Sequence, residues 1–214
     1  MRTATNSLTN LMLRIVSDTD LHARWLNTMS YLEYIGFRKI IKSQDASNMS
    51  QQTLQHANEE GRHALLLKNI CLKVGGPRYD SYHPSKLLKG IEAEIYIQSV
   101  DAEAEALLST VTSGQELSRL TYLAVTWLVE MRALEVYGAY TEALRVNGLS
   151  SPLASLLKEE ERHLEDVQEA IAGLIPERVR ADLEAMEFAR YQEYLRALAM
   201  ELGGSLEVDF APSL

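Results

Sequence analysis

Apolar side chains recur along most of this chain at steps of three and four residues. No stretch shows the period of two that marks a half-buried strand. The series His22, Leu26, Met29, Glu33, Phe37 and Ile40 predicts a helix from Ser17 or Asp18 to about Lys42, with Asp18 as its N-cap, behind a ragged N-terminal arm. After the polar stretch Ser43 to Asn48, the series Thr53, His56, Glu60, His63, Leu67 and Ile70 predicts a second helix over about Ser50 to Val74, stopped by Gly75-Gly76-Pro77. Pro84 suits the start of a third helix, about Ser85 to Thr110, whose weaker stripe is Leu88, Ile91, Ile95 and Ala102. A fourth helix, about Gln115 to Val146, carries Leu120, Leu123, Trp127, Glu130, Leu134, Tyr137 and Thr141 and ends at Asn147-Gly148. A fifth starts at Ser150 or Ser151 with Pro152, runs to about Ala172, and carries Leu149, Leu153, Leu156, Glu160, His163, Val167, Ala170 and Leu174. A sixth, about Pro176 to Leu202, has a mixed surface. Gly203-Gly204 and an apolar tail ending Phe210-Ala211-Pro212-Ser213-Leu214 follow. The expectation is an all-α fold in one domain over residues 1–214, with a bundle over 18–172 and a C-terminal helix and tail over 176–214.

What breaks these apolar faces is regular. Residues 59–63 read Glu59-Glu60-Gly61-Arg62-His63 and residues 159–163 read Glu159-Glu160-Glu161-Arg162-His163, the same E-E-x-R-H string one hundred positions later. Each copy puts a glutamate and a histidine three residues apart, on one side of a helix. Each is preceded by a glutamate on an otherwise apolar face, Glu33 or Glu130, 27 or 30 residues earlier. A duplicated helical hairpin accounts for this, with the third helix as part of the connection between the halves.

Composition narrows the classes of function. The net charge of −9 and the lack of a lysine/arginine run disfavour nucleic acid as a partner. No apolar run approaches the length of a membrane span, and Met1 to Asn10 lacks the apolar core of a secretory signal, so a cytoplasmic protein with no membrane partner is expected. The single cysteine, Cys71, excludes an intrachain disulfide and a cysteine-built metal cluster; it reads as a small buried hydrophobe.

Four glutamates and two histidines on inward faces call for metal. A buried, unpaired carboxylate costs several kcal/mol or takes up a proton. Two divalent ions would balance four carboxylates, and carboxylate oxygens with one imidazole per ion suit iron or manganese.

These residues resemble the pattern of the ferritin-like di-iron carboxylate proteins: Glu, then E-x-x-H, then Glu, then E-x-x-H on four helices, with a long crossover between the pairs. Among them the doubled E-E-x-R-H is most similar to the O₂-activating oxidases and hydroxylases. Rubrerythrin- and bacterioferritin-like proteins come second. The resemblance spans about Asp18 to Ala172. It implies that Glu33, Glu60 and His63 hold one iron, that Glu130, Glu160 and His163 hold the other, and that Glu60 and Glu160 bridge. Glu59, Arg62, Glu159 and Arg162 would orient the histidines. The chain departs from rubrerythrins in having Ala133 where they place an additional glutamate and in lacking their rubredoxin-like cysteines. The implied cofactor is two Fe ions, with Mn or a mixed Fe/Mn pair as variants. The implied partners are a small organic substrate, O₂ or peroxide, and an external electron donor, in a chain whose default assembly is a homodimer. The leading expectation is an oxidase or oxygenase. A ferroxidase or peroxide-reducing protein, and a metal-free helical interaction protein, are the alternatives.

His56, one turn before Glu60, and Tyr137, two turns past Glu130, are further neighbours of the candidate site. For both, a hydrogen-bonded or packed core residue is the competing reading. Glu135 rivals Glu130 but falls off the apolar stripe. His22 and His83 have no partner at metal spacing.

Overall fold

The computed structural model describes residues 2–43 and 49–203. Among these the chain forms seven α-helices and two short 3₁₀ turns, and no strand occurs. The helices are α1 (Arg2–Ser17), α2 (Thr19–Ser43), α3 (Gln51–Gly75), α4 (Gly90–Leu108), α5 (Gly114–Val146), α6 (Ala154–Ile171) and α7 (Glu177–Glu201). The all-α expectation holds. The expected tail beyond Gly203 and most of the polar stretch before α3 lie outside the described residues.

Caps explain several boundaries. Asp18 is the cap expected: its Oδ1 accepts from the amides of Asp20 at 2.8 Å and Leu21 at 3.0 Å. The arm before it is a complete helix, α1, which buries Leu8, Leu11, Met12 and Ile15. Ser50 caps α3 by accepting from the Thr53 amide at 3.0 Å. α5 ends in a Schellman arrangement: Gly148 (φ 71) donates to the Arg145 carbonyl and Leu149 to the Leu144 carbonyl. That turn leaves Leu149 half exposed, so it is not part of the core face expected for it.

The chain divides into two compact units, one of Arg14–Ala93 and a larger one of Met1–Leu13 with Glu94–Leu214. In the smaller unit α2 packs along α3. Leu26, Met29, Ile40, Ala57, Ala64, Leu67 and Cys71 are buried, while Phe37 and Ile70 are half-buried. In the larger unit α5 packs on α6 and on α7. α5 is buried over more of its circumference than one stripe, with Ala124, Leu128, Val136, Tyr140 and Ala143 joining Leu120, Trp127 and Tyr137.

The third predicted helix needs correction. Pro84 opens a single 3₁₀ turn, Pro84–Lys86, capped by His83, and the α-helix begins only at Gly90. The reason lies on α2. Arg24 donates to the Leu87 carbonyl from Nε at 3.2 Å and Nη2 at 3.1 Å, and Thr28 Oγ1 accepts from the Leu88 amide at 2.8 Å. Side chains of α2 thus take up the peptide groups a helix would have used. The expected stripe on this helix is also rotated. Ile91, Ile95 and Ala102 are exposed, and Ala93, Tyr96, Val100, Ala104 and Leu108 are buried. At the end of α6, Ile171 and Ile175 take the buried places expected of Ala170 and Leu174. Pro152 stands two residues ahead of α6 rather than in its first turn.

Candidate metal centre

In the smaller unit, Glu33 on α2 and Glu60 and His63 on α3 are all buried, at 8%, 8% and 2% exposure. His63 Nδ1 lies 3.9 Å from Glu33 Oε2 and 3.9 Å from Glu60 Oε1. One donor atom from each of the three residues lies within 4.8 Å of the others. The i, i+3 relation puts Glu60 and His63 on one turn, and the packing of α2 on α3 brings Glu33 to them. His56 is half-buried and its Nε2 stands 3.5 Å from the same Glu60 Oε1. One carboxylate oxygen therefore faces two imidazoles.

The larger unit repeats the arrangement. Glu130 on α5 and Glu160 and His163 on α6 are buried at 4%, 1% and 6%. His163 Nδ1 lies 3.2 Å from Glu160 Oε2 and 3.5 Å from Glu130 Oε1. Glu135 is exposed and ion-paired with Arg132, as its position off the stripe implied. Tyr137 is buried two turns beyond Glu130.

A metal–donor bond of about 2.1 Å puts adjacent donors about 3.0 Å apart in an octahedron and about 3.4 Å apart in a tetrahedron. The separations of 3.2 to 3.9 Å begin inside this range and run beyond its upper end. At 3.9 Å, the His63 contacts to the carboxylates are too long for hydrogen bonds. Each unit therefore groups two carboxylates and an imidazole that could hold a metal ion.

The residues around the ligands differ between the two motifs. Glu59 is buried; its Oε1 accepts from Gln55 Nε2 at 3.1 Å and lies 3.6 Å from Arg62 Nη2. Its counterpart Glu159 is half-buried. Arg162 Nη2 lies 3.2 Å from His163 Nε2, the ring nitrogen turned away from the glutamates.

Two features were not anticipated from sequence. A Cβ placed on Gly36 would lie 2.7 Å from Glu60 Oε2, so this mid-helix glycine makes the room in which that carboxylate rests. The available signal was a glycine with no capping role one turn after Glu33. The second is a buried polar group in the larger unit built on Glu187, Arg132 and Tyr96. Its residues sit on three helices and carry no spacing that sequence could expose.

Two histidines and the cysteine lie outside the ligand groups. His22 is buried on α2, and burial lowers its pKa to about 4. His83 is the exposed cap of the 3₁₀ turn. Cys71 is fully buried and donates to the Ala23 carbonyl at 3.1 Å; burial pushes its thiol up to about 11.

Among the described residues no helix is long and apolar enough to cross a membrane. Compared with known proteins, the chain matches no family model, no curated protein and no solved structure.

Proposed function

We propose that this chain is a non-haem di-iron oxidase or oxygenase of ferritin-like architecture, with Glu33, Glu60 and His63 holding one ion and Glu130, Glu160 and His163 the other. The observation that carries the reading is the repeated geometry: in each unit one imidazole nitrogen stands 3.2 to 3.9 Å from two buried carboxylates. An iron pair bound there would supply O₂ activation, with electrons from a separate reductase and a small organic molecule as substrate.

The chain's own residues do the rest. Four carboxylates set the charge that two divalent ions would balance. Leu26 and Met29 lie before Glu33, and Leu67 lies one turn after His63. Trp127 precedes Glu130, and Leu156 and Val167 flank the second motif; all are buried and keep water from the ligands. The Glu60 carboxylate rests over Gly36, which leaves room for its Oε2.

The test is metal content of the untagged protein by ICP-MS after anaerobic Fe(II) loading, beside the Glu60→Ala/Glu160→Ala double variant. About two irons per chain, lost in the variant, is the expected result, and an O₂-uptake screen against organic substrates follows. Rapid Fe(II) oxidation with no organic substrate consumed would transfer the chain to the ferroxidases. No bound metal in the unsubstituted protein overturns the reading.

A further inference from the structure

The most strongly built polar group outside the ligand sets lies in the larger unit, between α4, α5 and α7. Glu187 is 2% exposed. Arg132 holds it in a two-pronged ion pair, Nε to Oε1 at 2.9 Å and Nη2 to Oε2 at 2.7 Å. Tyr96, itself buried, donates its hydroxyl to Glu187 Oε1 at 2.6 Å, the length of a hydrogen bond to an ionised acceptor. Two more buried phenols complete the group. The Tyr96 ring centroid lies 5.9 Å from that of Tyr191 and 6.3 Å from that of Tyr194. The Arg132 guanidinium sits 3.9 Å over the Tyr191 ring, whose hydroxyl is buried without a hydrogen-bond partner among the described residues.

A buried ion pair of this kind is weak evidence for stability, because desolvation offsets most of its attraction. The arrangement does suit one chemistry. Burial and the Glu187 charge push the Tyr96 phenol well above its usual range, so it does not ionise by itself. Removing one electron from a phenol makes its proton strongly acidic, and that proton already points at a carboxylate 2.6 Å away. We infer that Tyr96 and Glu187 form a proton-coupled redox pair: Tyr96 gives up one electron and passes its phenolic proton to Glu187. The products are a neutral phenoxyl radical and a neutral carboxylic acid, and the electron goes to a one-electron oxidant.

In the protein a bound, oxidised metal pair would supply that one-electron oxidant; for this alone the inference rests on the proposed function. Arg132 lies two residues after Glu130, which sets the two side chains on opposite sides of α5. The phenol cluster and the metal ligands of this unit are therefore separated by about one helix diameter, about 10–12 Å. The group would drain oxidising equivalents from a centre whose substrate is absent.

The test uses the full-length, metal-free protein and a photogenerated ruthenium(III) polypyridyl as oxidant, read by transient absorption and EPR. The expected result is a long-lived neutral phenoxyl radical, formed more slowly in D₂O and lost in Tyr96→Phe. Glu187→Gln keeps a hydrogen-bond acceptor but takes no proton, so it should slow radical formation and remove the isotope effect. Circular dichroism establishes that both variants fold. A long-lived signal that survives Tyr96→Phe, or that forms without a solvent isotope effect, overturns the inference. Because this readout needs no metal, a chain that binds no iron yet forms the radical would leave the redox pair standing while the di-iron reading falls. A chain that binds two irons and forms no such radical would do the reverse.

Discussion

The two ligand groups carry the same three residue types at the same helical spacing, and yet they are not equivalent. In the larger unit His163 stands 3.2 and 3.5 Å from its carboxylates, within a compact triad. In the smaller unit His63 stands 3.9 Å from both of its own, and Glu60 also faces His56, whose counterpart in the second motif is the buried Leu156. Glu60 rests over Gly36; the matching place after Glu130 is Ala133. A duplicated motif thus conserves the donors and varies what surrounds them, and the surroundings decide how freely a carboxylate moves.

The hardest blow to this comparison is ligand removal in one unit at a time. Glu60→Ala and Glu160→Ala, made separately, should each cost at least one metal equivalent by ICP-MS. Equal losses of both ions in the two variants would show a single cooperative centre; unequal losses would show that the tighter triad retains its ion.

Next in size is Gly36→Ala. The added methyl meets Glu60 Oε2, so iron affinity should fall by roughly 10–100-fold, the usual cost of disturbing what positions a ligand. The same change should stabilise α2 by up to about 1 kcal/mol in the metal-free protein, because alanine favours the helix interior. Ala133→Gly should do neither in the same direction. Isothermal titration with metal and thermal unfolding without it read the two effects apart, and an unchanged affinity in Gly36→Ala would remove the glycine from the site.

A third difference concerns acid. His22 belongs to the smaller unit and its folded pKa is depressed to about 4 from 6.5. Its neutral form is the buried one, so its contribution is complete above pH 6.5 and is lost as pH falls toward 4, where the unfolded chain binds the proton and the folded chain does not. Allowing for partial solvent access, the loss is roughly 2 kcal/mol. Hydrogen exchange between pH 7 and 4 on metal-free protein should show α2 and α3 opening before α5 and α6, and His22→Gln should flatten that dependence.

The smallest expected effect is that of His56→Leu, which gives the first motif the residue that the second has. Metal affinity should fall by no more than about tenfold. A complete loss would make His56 an indispensable ligand.

The fold was legible in the sequence wherever one periodic face met one packing partner. α2, α3 and α5 and the two E-E-x-R-H motifs could be placed within a residue or two because their apolar steps and caps are local. The third helix was misread because Arg24 and Thr28, some sixty residues away, claim the peptides of Leu87 and Leu88. Its stripe was misread because Tyr96 turns inward to meet Glu187. The candidate ligands could be named because glutamate on an apolar stripe is conspicuous. Gly36 could not, since its part depends on where the end of another helix's side chain comes to rest.

The distance along the chain between the two motifs has a consequence in time. Synthesis at about 5–20 residues per second separates the emergence of Glu60-His63 from that of Glu160-His163 by about 5–20 s. Because α2 and α3 are neighbours in sequence and pack on each other, the first triad can close while the second is still being translated. For those seconds the nascent chain holds a buried pair of carboxylates with one set of ligands complete. Under the proposed function, the order in which ions would enter is set by translation before it is set by affinity.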